Sequence, residues 1–101
     1  MNKQEEKIQE ILKGVMDPEL MVNIVDLGLV YRIAADSEKM NIQVDMTLTS
    51  QGCPLGDVII NNAREVILAE FSEYEVDLHL VWDPVWDASM LTDEGKAALA
   101  K

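Results

Sequence analysis

Residues 40–70 read MNIQVDMTLTSQGCPLGDVIINNAREVILAE, and within that stretch the apolar spacing changes from every second residue to every third or fourth. From Met40 to Thr49, the apolar Ile42, Val44, Met46 and Leu48 alternate with the polar Asn41, Gln43, Asp45, Thr47 and Thr49. That is the pattern of a strand with one packed face. Ser50-Gln51-Gly52 breaks it. Leu55, Val58, Ile59, Ala63, Val66 and Ile67 then make the apolar stripe of a helix that runs to about residue 70. Glu75 to Trp82 alternates again, with Val76, Leu78, Leu80 and Trp82 on one face and His79 on the other. Two strands joined through a helix run parallel, so these segments predict a β-α-β unit.

Upstream, Leu29 to Ala34 is rich in strand formers, and the polar Ala35-Asp36-Ser37-Glu38-Lys39 turns it into an antiparallel hairpin with the alternating strand. Ile8, Ile11, Leu12 and Val15 give a first amphipathic helix over 3–16, stopped by Asp17-Pro18 because a residue before proline is pushed out of helical geometry. Glu19 to Gly28 reads as loop, and a short last helix begins near Thr92. The order α-β-β-α-β-α predicts one α+β domain over residues 1–101: a two-layer sandwich with helices on one face of a three-stranded mixed sheet. This topology brings Asp26-Leu27-Gly28, the stretch Thr47 to Cys53, and Trp82-Asp83-Pro84-Val85-Trp86 to one rim of the sheet. Sites in α/β units lie beyond the carboxyl ends of parallel strands.

Composition narrows the function classes. A chain of 101 residues with 49% apolar and 27% charged residues can bury its own core. One cysteine forms no internal disulfide, so no oxidising compartment is required. The polar N-terminus lacks a signal-type apolar core, and no run reaches membrane-span length, which places the expected chain in the cytoplasm. The net charge is −11, and between Arg64 and Lys96 stand nine acids (Glu65, Glu70, Glu73, Glu75, Asp77, Asp83, Asp87, Asp93, Glu94) with no Lys or Arg. Such a field repels nucleic acid and anionic membranes. It is either a solvated face or a docking surface for basic partners.

Cys53 is the residue most able to carry chemistry. Pro54 after it suits the first position of a helix, which puts Cys53 at or near the N-cap, where backbone N–H groups and the helix dipole stabilise a thiolate. The alternative is a small buried hydrophobe. The lone His79 should point away from the packed side, so a cysteine–histidine dyad is weak, and no thiol enzyme is expected. One thiol and one imidazole fall short of a closed set of soft ligands, so iron or a transient cluster would be shared between two chains or with a partner. Asp17 and Asp26 read as caps or turn residues. Thr49 can hydrogen-bond the turn carrying Cys53. Trp82 reads as core, whereas Trp86, beyond Pro84, is a candidate partner contact.

Four segments together are similar to one family. Asp17-Pro18-Glu19-Leu20, Asn23-Ile24-Val25-Asp26-Leu27-Gly28-Leu29-Val30-Tyr31, Met46-Thr47-Leu48-Thr49 with Cys53-Pro54, and Val81-Trp82-Asp83-Pro84 followed by Trp86 resemble the SufT/PaaD-like family of metal–sulfur cluster biosynthesis proteins. The resemblance implies an iron–sulfur cluster assembly type of fold and an accessory, non-enzymatic role in maturing iron–sulfur proteins. It also implies a reactive cysteine at Cys53, surrounded by Asp17, Asp26, Thr47 and Thr49, and a transient cluster or iron as the group handled. Assembly machinery and apo client proteins are the implied partners, met through Trp82, Asp83, Pro84 and Trp86, with a homodimer as a further expectation. Two positions depart from the family pattern: Val85 stands where a second proline is common, and Ser50-Gln51-Gly52 lacks the proline often found before the cysteine. The alternative is an adaptor that presents rim and acidic face to partners, including a PaaD-like role in a phenylacetate or ring-hydroxylation system.

Overall fold

In the computed structural model, which describes residues 1–52 and 54–100, the alternating stretch is the central strand of a three-stranded sheet. The elements run α1 (Lys3–Leu12), β1 (Met16–Asp17), β2 (Val22–Asn23), β3 (Val30–Asp36), β4 (Asn41–Met46), α2 (Gly56–Glu70), β5 (Glu75–Leu80) and α3 (Asp93–Leu99), with a 3-10 turn at Ala88–Met90. The strand order is β3-β4-β5, antiparallel between β3 and β4 and parallel between β4 and β5. The α+β class and the mixed sheet are those the sequence predicts.

Ile42, Val44, Met46 and Leu48 are buried against Ile8 and Leu12 of α1 and Ile59, Ala63 and Ile67 of α2 in one core. Burying each of these side chains other than Ala63 contributes about 1.5–3 kcal/mol relative to leaving it in water. Of the stripe read from the sequence, Ile59, Ala63 and Ile67 form the face that α2 turns inward and Leu55 and Val66 are half-buried, whereas Val58 is 48% exposed.

Four boundaries differ from the sequence reading. The first helix ends at Leu12, not 16, because Gly14 follows and Lys13-Gly14 tightens the last turn: the Val15 N–H donates to the Leu12 carbonyl at 3.0 Å. Val15 then enters the core as extended chain, and its carbonyl accepts from the Ile24 N–H at 2.9 Å. The stretch 19–28 is not all loop, since Met16-Asp17 and Val22-Asn23 form a two-stranded ladder too short to show a period. The central and last strands stop at Met46 and Leu80, earlier than expected, where β3 is bulged between Val30 and Arg32 and the chains leave the ladder for the rim. Finally, α3 does not join the helix layer. It packs beside β2, with Thr92 as its N-cap accepting at Oγ1 from the Gly95 N–H at 3.0 Å.

Candidate functional site

Backbone bonds tie the three rim segments together. The Thr47 N–H donates to the Leu29 carbonyl and the Val81 N–H to the Met46 carbonyl, both at 2.8 Å. From the third segment, the Trp86 indole N–H donates to the Leu27 carbonyl at 2.6 Å, and the Tyr31 hydroxyl donates to the Pro84 carbonyl at 2.7 Å. Around Leu27, Thr47 and Pro84 to Trp86, the three segments that the topology argument assigned to one rim thus meet among the described residues.

The segment after β5 acts as a strap across this edge. Trp82 and Trp86 are half-buried against the core, while Asp83, Pro84 and Val85 between them are exposed, Val85 at 72%. Asp26 anchors the strap's far end. Its Oδ2 accepts from the Asn23 amide at 2.7 Å, its Oδ1 accepts from the Thr92 hydroxyl at 2.9 Å, and its backbone carbonyl accepts from the Thr92 N–H at 2.9 Å. Gly28 has φ +81°, and a Cβ there would collide with the Met90 backbone. A side chain at this position would be strained by conformation and by space together.

The other site candidates are distributed as follows. Asp17 is 2% exposed, and its Oδ1 accepts from the N–H groups of Glu19 and Leu20 at 2.8 and 3.1 Å, closing the β1–β2 turn. Thr47 is fully buried, although its place in the alternation predicts the open face of the sheet. It lies one residue past the last ladder pair, next to the β3 bulge and beneath the rim that the strap crosses. Its hydroxyl has no hydrogen-bond partner among the described residues. A buried hydroxyl without a partner costs about 1–3 kcal/mol, so Thr47 is a point of stored polarity under the rim. Thr49 is half-buried in the bend that follows.

Cys53, the proposed thiol, lies outside the described residues. The helix after it begins at Gly56 with Leu55 as N-cap, so Pro54 precedes the cap rather than occupying the first helical position. No side chain among the described residues caps this end. Gly56 lies directly on Leu48, 2.6 Å from where its Cβ would stand, which fixes the start of α2 to the end of β4. His79 is exposed on the open face, paired in register with Asp45. Among the described residues no three His, Cys, Asp or Glu side chains converge as a metal site.

Two rim groups titrate away from their ordinary values. Burial, and then the carboxylates of Asp87 and Asp83, push the Tyr31 phenol up. The Ser89 hydroxyl and then its backbone N–H hold Asp87 below the usual carboxylate range. A surface recess of about 250 Å³ lies at the other end of the β3–β4 hairpin, lined by Ala34, Ala35, Asp36, Lys39, Asn41 and Gln43. None of the rim residues contributes to it, and the rim's chemistry and bonding make it the better candidate. The sequence reading missed Tyr31 and Thr92 as the groups that hold the strap. Thr92 before Asp93-Glu94 is a helix-start signal that marks it in retrospect; Tyr31 carries no local signal.

The iron–sulfur cluster assembly protein family matches residues 5–77. The Fe-S protein maturation auxiliary factor SufT of Staphylococcus aureus is 46% identical over 86 residues, covering 84% of this chain and 96% of that protein. The auxiliary factor YitW of Bacillus subtilis, named for the same role, is 40% identical, covering 93% and 91%. A crystal structure of a domain of unknown function from Bacillus anthracis superposes with a TM-score of 0.90 at 38% identity, covering 96% of this chain and 92% of that one. The family match ends before the strap begins, so residues 82–92 are fixed to the domain by the rim bonds above rather than by the matched region.

Proposed function

The chain belongs to the iron–sulfur cluster assembly protein family, and from that premise we propose that it is an accessory factor in the maturation of iron–sulfur proteins, with Cys53 as its working thiol. The observation that carries the reading is the convergence of the Asp26–Tyr31 segment, the end of β4 and the strap on the edge from which the loop to α2 departs. That loop carries the chain's one cysteine. Asp26 holds the strap, Thr47 lies buried at the end of β4, and the start of α2, which no described side chain caps, offers N–H groups that favour an anion such as a thiolate.

Iron or a cluster is cargo in this reading, not a resident group. A single thiolate requires the remaining ligands to come from a second copy, an assembly protein or the apo client. The role is non-catalytic, in keeping with relatives named auxiliary factors, and the setting is the cytoplasm. No helix among the described residues is long and apolar enough to cross a membrane. Trp82, Asp83, Pro84 and Trp86 are the proposed partner contacts, with exposed Asp83 and Pro84 at their centre.

Expression in a bacterium that lacks its own auxiliary maturation factor tests the proposal, read as the activity of an iron–sulfur dehydratase. The wild-type chain should restore that activity and Cys53→Ala should not. Failure of the folded wild type sinks the maturation role. Restoration by Cys53→Ala replaces the thiol mechanism with the adaptor reading.

A further inference from the structure

The last strand of the sheet has a free side. In the order β3-β4-β5, β5 pairs with β4 alone, and its other packing neighbour is α2 beneath it. The Glu75 N–H donates to the Met40 carbonyl and the Val81 N–H to the Met46 carbonyl, both toward β4. By the two-residue period of a strand, Asp77 and His79 also face β4, and Val76, Leu78 and Leu80 turn their N–H and C=O groups outward. None of those outward groups has a hydrogen-bond partner among the described residues. Such a row is a template for another strand unless something covers it.

The side chains along this edge divide by face. Val76, Leu78 and Leu80 lie on the helix side, half-buried except for Leu80, which is 41% exposed. Glu75, Asp77 and His79 stand on the open face of the sheet, with Asp45 next to His79 in register. Glu73 and Asp83 flank the strand, and no Lys or Arg occurs between Arg64 and Lys96. A second copy of the chain meets like charge in two antiparallel registers: pairing centred on Asp77 apposes the two Asp77 carboxylates, and pairing centred on Val76 apposes Glu75 with Asp77. Pairing centred on Leu78, which sets Asp77 opposite His79, escapes this, whereas a basic segment meets opposite charge in every register.

We infer that the free edge of β5 binds an extended segment of a partner protein as a fourth strand, with side chains alternating between apolar and basic. Main-chain bonds to Val76, Leu78 and Leu80 hold the segment, its apolar side chains cover Leu80 on the helix side, and its basic side chains meet Glu75 and Asp77 on the open face. Affinity from the backbone and selectivity from alternate side chains is the general logic of strand addition. The inference goes beyond the maturation role and involves neither Cys53 nor a cluster, so either can fail without the other.

The test titrates the isotope-labelled, full-length protein with an end-blocked peptide of alternating lysine and valine and follows each backbone amide. Amide shifts should concentrate in residues 75–80, and hydrogen exchange at Val76, Leu78 and Leu80 should slow by about tenfold or more, since pairing closes amides that were open to water. A peptide of alternating glutamate and valine should not bind. Leu80→Pro removes one outward donor without touching the β4 ladder and should weaken binding of the lysine peptide, as should Asp77→Lys. If the proline variant does not fold, the wild-type protein with a peptide N-methylated along one edge asks the same question. Shifts confined to another surface, equal binding of the glutamate peptide, or full binding of the N-methylated peptide would overturn the inference. Protection of the same three amides that rises with protein concentration alone, together with a dimer in sedimentation, would also overturn it by giving the edge to a second copy.

Discussion

The two outer strands of the sheet are treated in opposite ways. Along β3, the Ala35 N–H donates to the Glu5 carboxylate at 3.0 Å and the Ala35 carbonyl accepts from the Asn2 amide at 3.3 Å, so the first turn of α1 stoppers the edge near the hairpin. At the other end of β3, a bulge interrupts the ladder and the Tyr31 hydroxyl reaches the strap. Along β5 there is no bulge, proline or covering segment among the described residues, only the acids Glu75 and Asp77 beside His79 on its open face. Exposed edges invite pairing, and proteins that need no partner there blunt them. A chain that blunts one edge by side-chain bonds, a bulge and a strap, and leaves the other to charge alone, has kept the second edge selective rather than closed.

The largest effect should come from loosening the strap on the β3 side. Gly28→Ala places a Cβ against the Met90 backbone in a left-handed conformation, and strain plus displacement should cost about 2–4 kcal/mol. Urea unfolding measures it. An unchanged midpoint and slope would mean the strap is not seated on Gly28, and the closed side of the comparison would fall. A smaller loss, about 1–2 kcal/mol, is expected for Trp86→Phe, which keeps an aromatic ring but removes the pyrrole half of the indole and with it the donor to the Leu27 carbonyl. Its signature is local: amides in 88–92 should exchange faster while those of β4 keep their protection.

How the closed edge is built explains which parts of the molecule the sequence could announce. The period change between Met46 and Leu55 was enough to derive the β-α-β unit and, with the hairpin before it, the common rim, because periodicity reports which face is buried. It could not report Thr47, which keeps its alternating phase but is fully buried one residue past the last ladder pair. Nor could it report that Asp26 bonds Thr92, or that Tyr31 bonds Pro84, since contacts between loops obey no period. Leu80 errs the other way: its phase is apolar-in, yet it is exposed because β5 has no outer neighbour and α2 does not reach it fully. Asp17 and Asp26 were legible as caps or turn residues, and Thr47 stood out only through the family resemblance; their bonding needed coordinates.

Tyr31 offers a way to open the strap without mutation. Its phenol titrates above the ordinary value of 10.0 because burial and the nearby Asp87 and Asp83 disfavour the anion. A group whose folded value is raised contributes stability that is complete below the ordinary value and lost as pH rises through the raised one. Ionised Tyr31 also cannot donate to the Pro84 carbonyl. Trp86 fluorescence should therefore change along an alkaline titration before global unfolding, and Tyr31→Phe should remove that change while costing about 1 kcal/mol at neutral pH. An identical titration in the variant would detach Tyr31 from the strap.

The smallest expected effect sharpens the comparison most, because it turns the closed edge into a copy of the open one. Glu5 is held below its ordinary value of 4.5, first by the Asn2 N–H and then by the Ala35 N–H. The sign follows from that direction: a lowered carboxylate contributes stability present above its ordinary value and lost as pH falls through the folded one. As Glu5 takes up its proton it becomes a weaker acceptor, and the Ala35 N–H on the β3 edge loses its stopper. After correction for the intrinsic pH dependence of exchange, protection at Ala35 should fall through that window, while Val76, Leu78 and Leu80 on β5, open throughout, should show no matching step. Glu5→Ala should give the same loss at neutral pH, with a change in overall stability too small to separate from the loss of its capping bond to Asn2. If Ala35 stays protected in the variant, the seal on β3 is the bulge and the strap alone. If the β5 amides are already as protected as Ala35 at neutral pH, the two edges are alike, and the case for a partner strand on β5 goes with the difference.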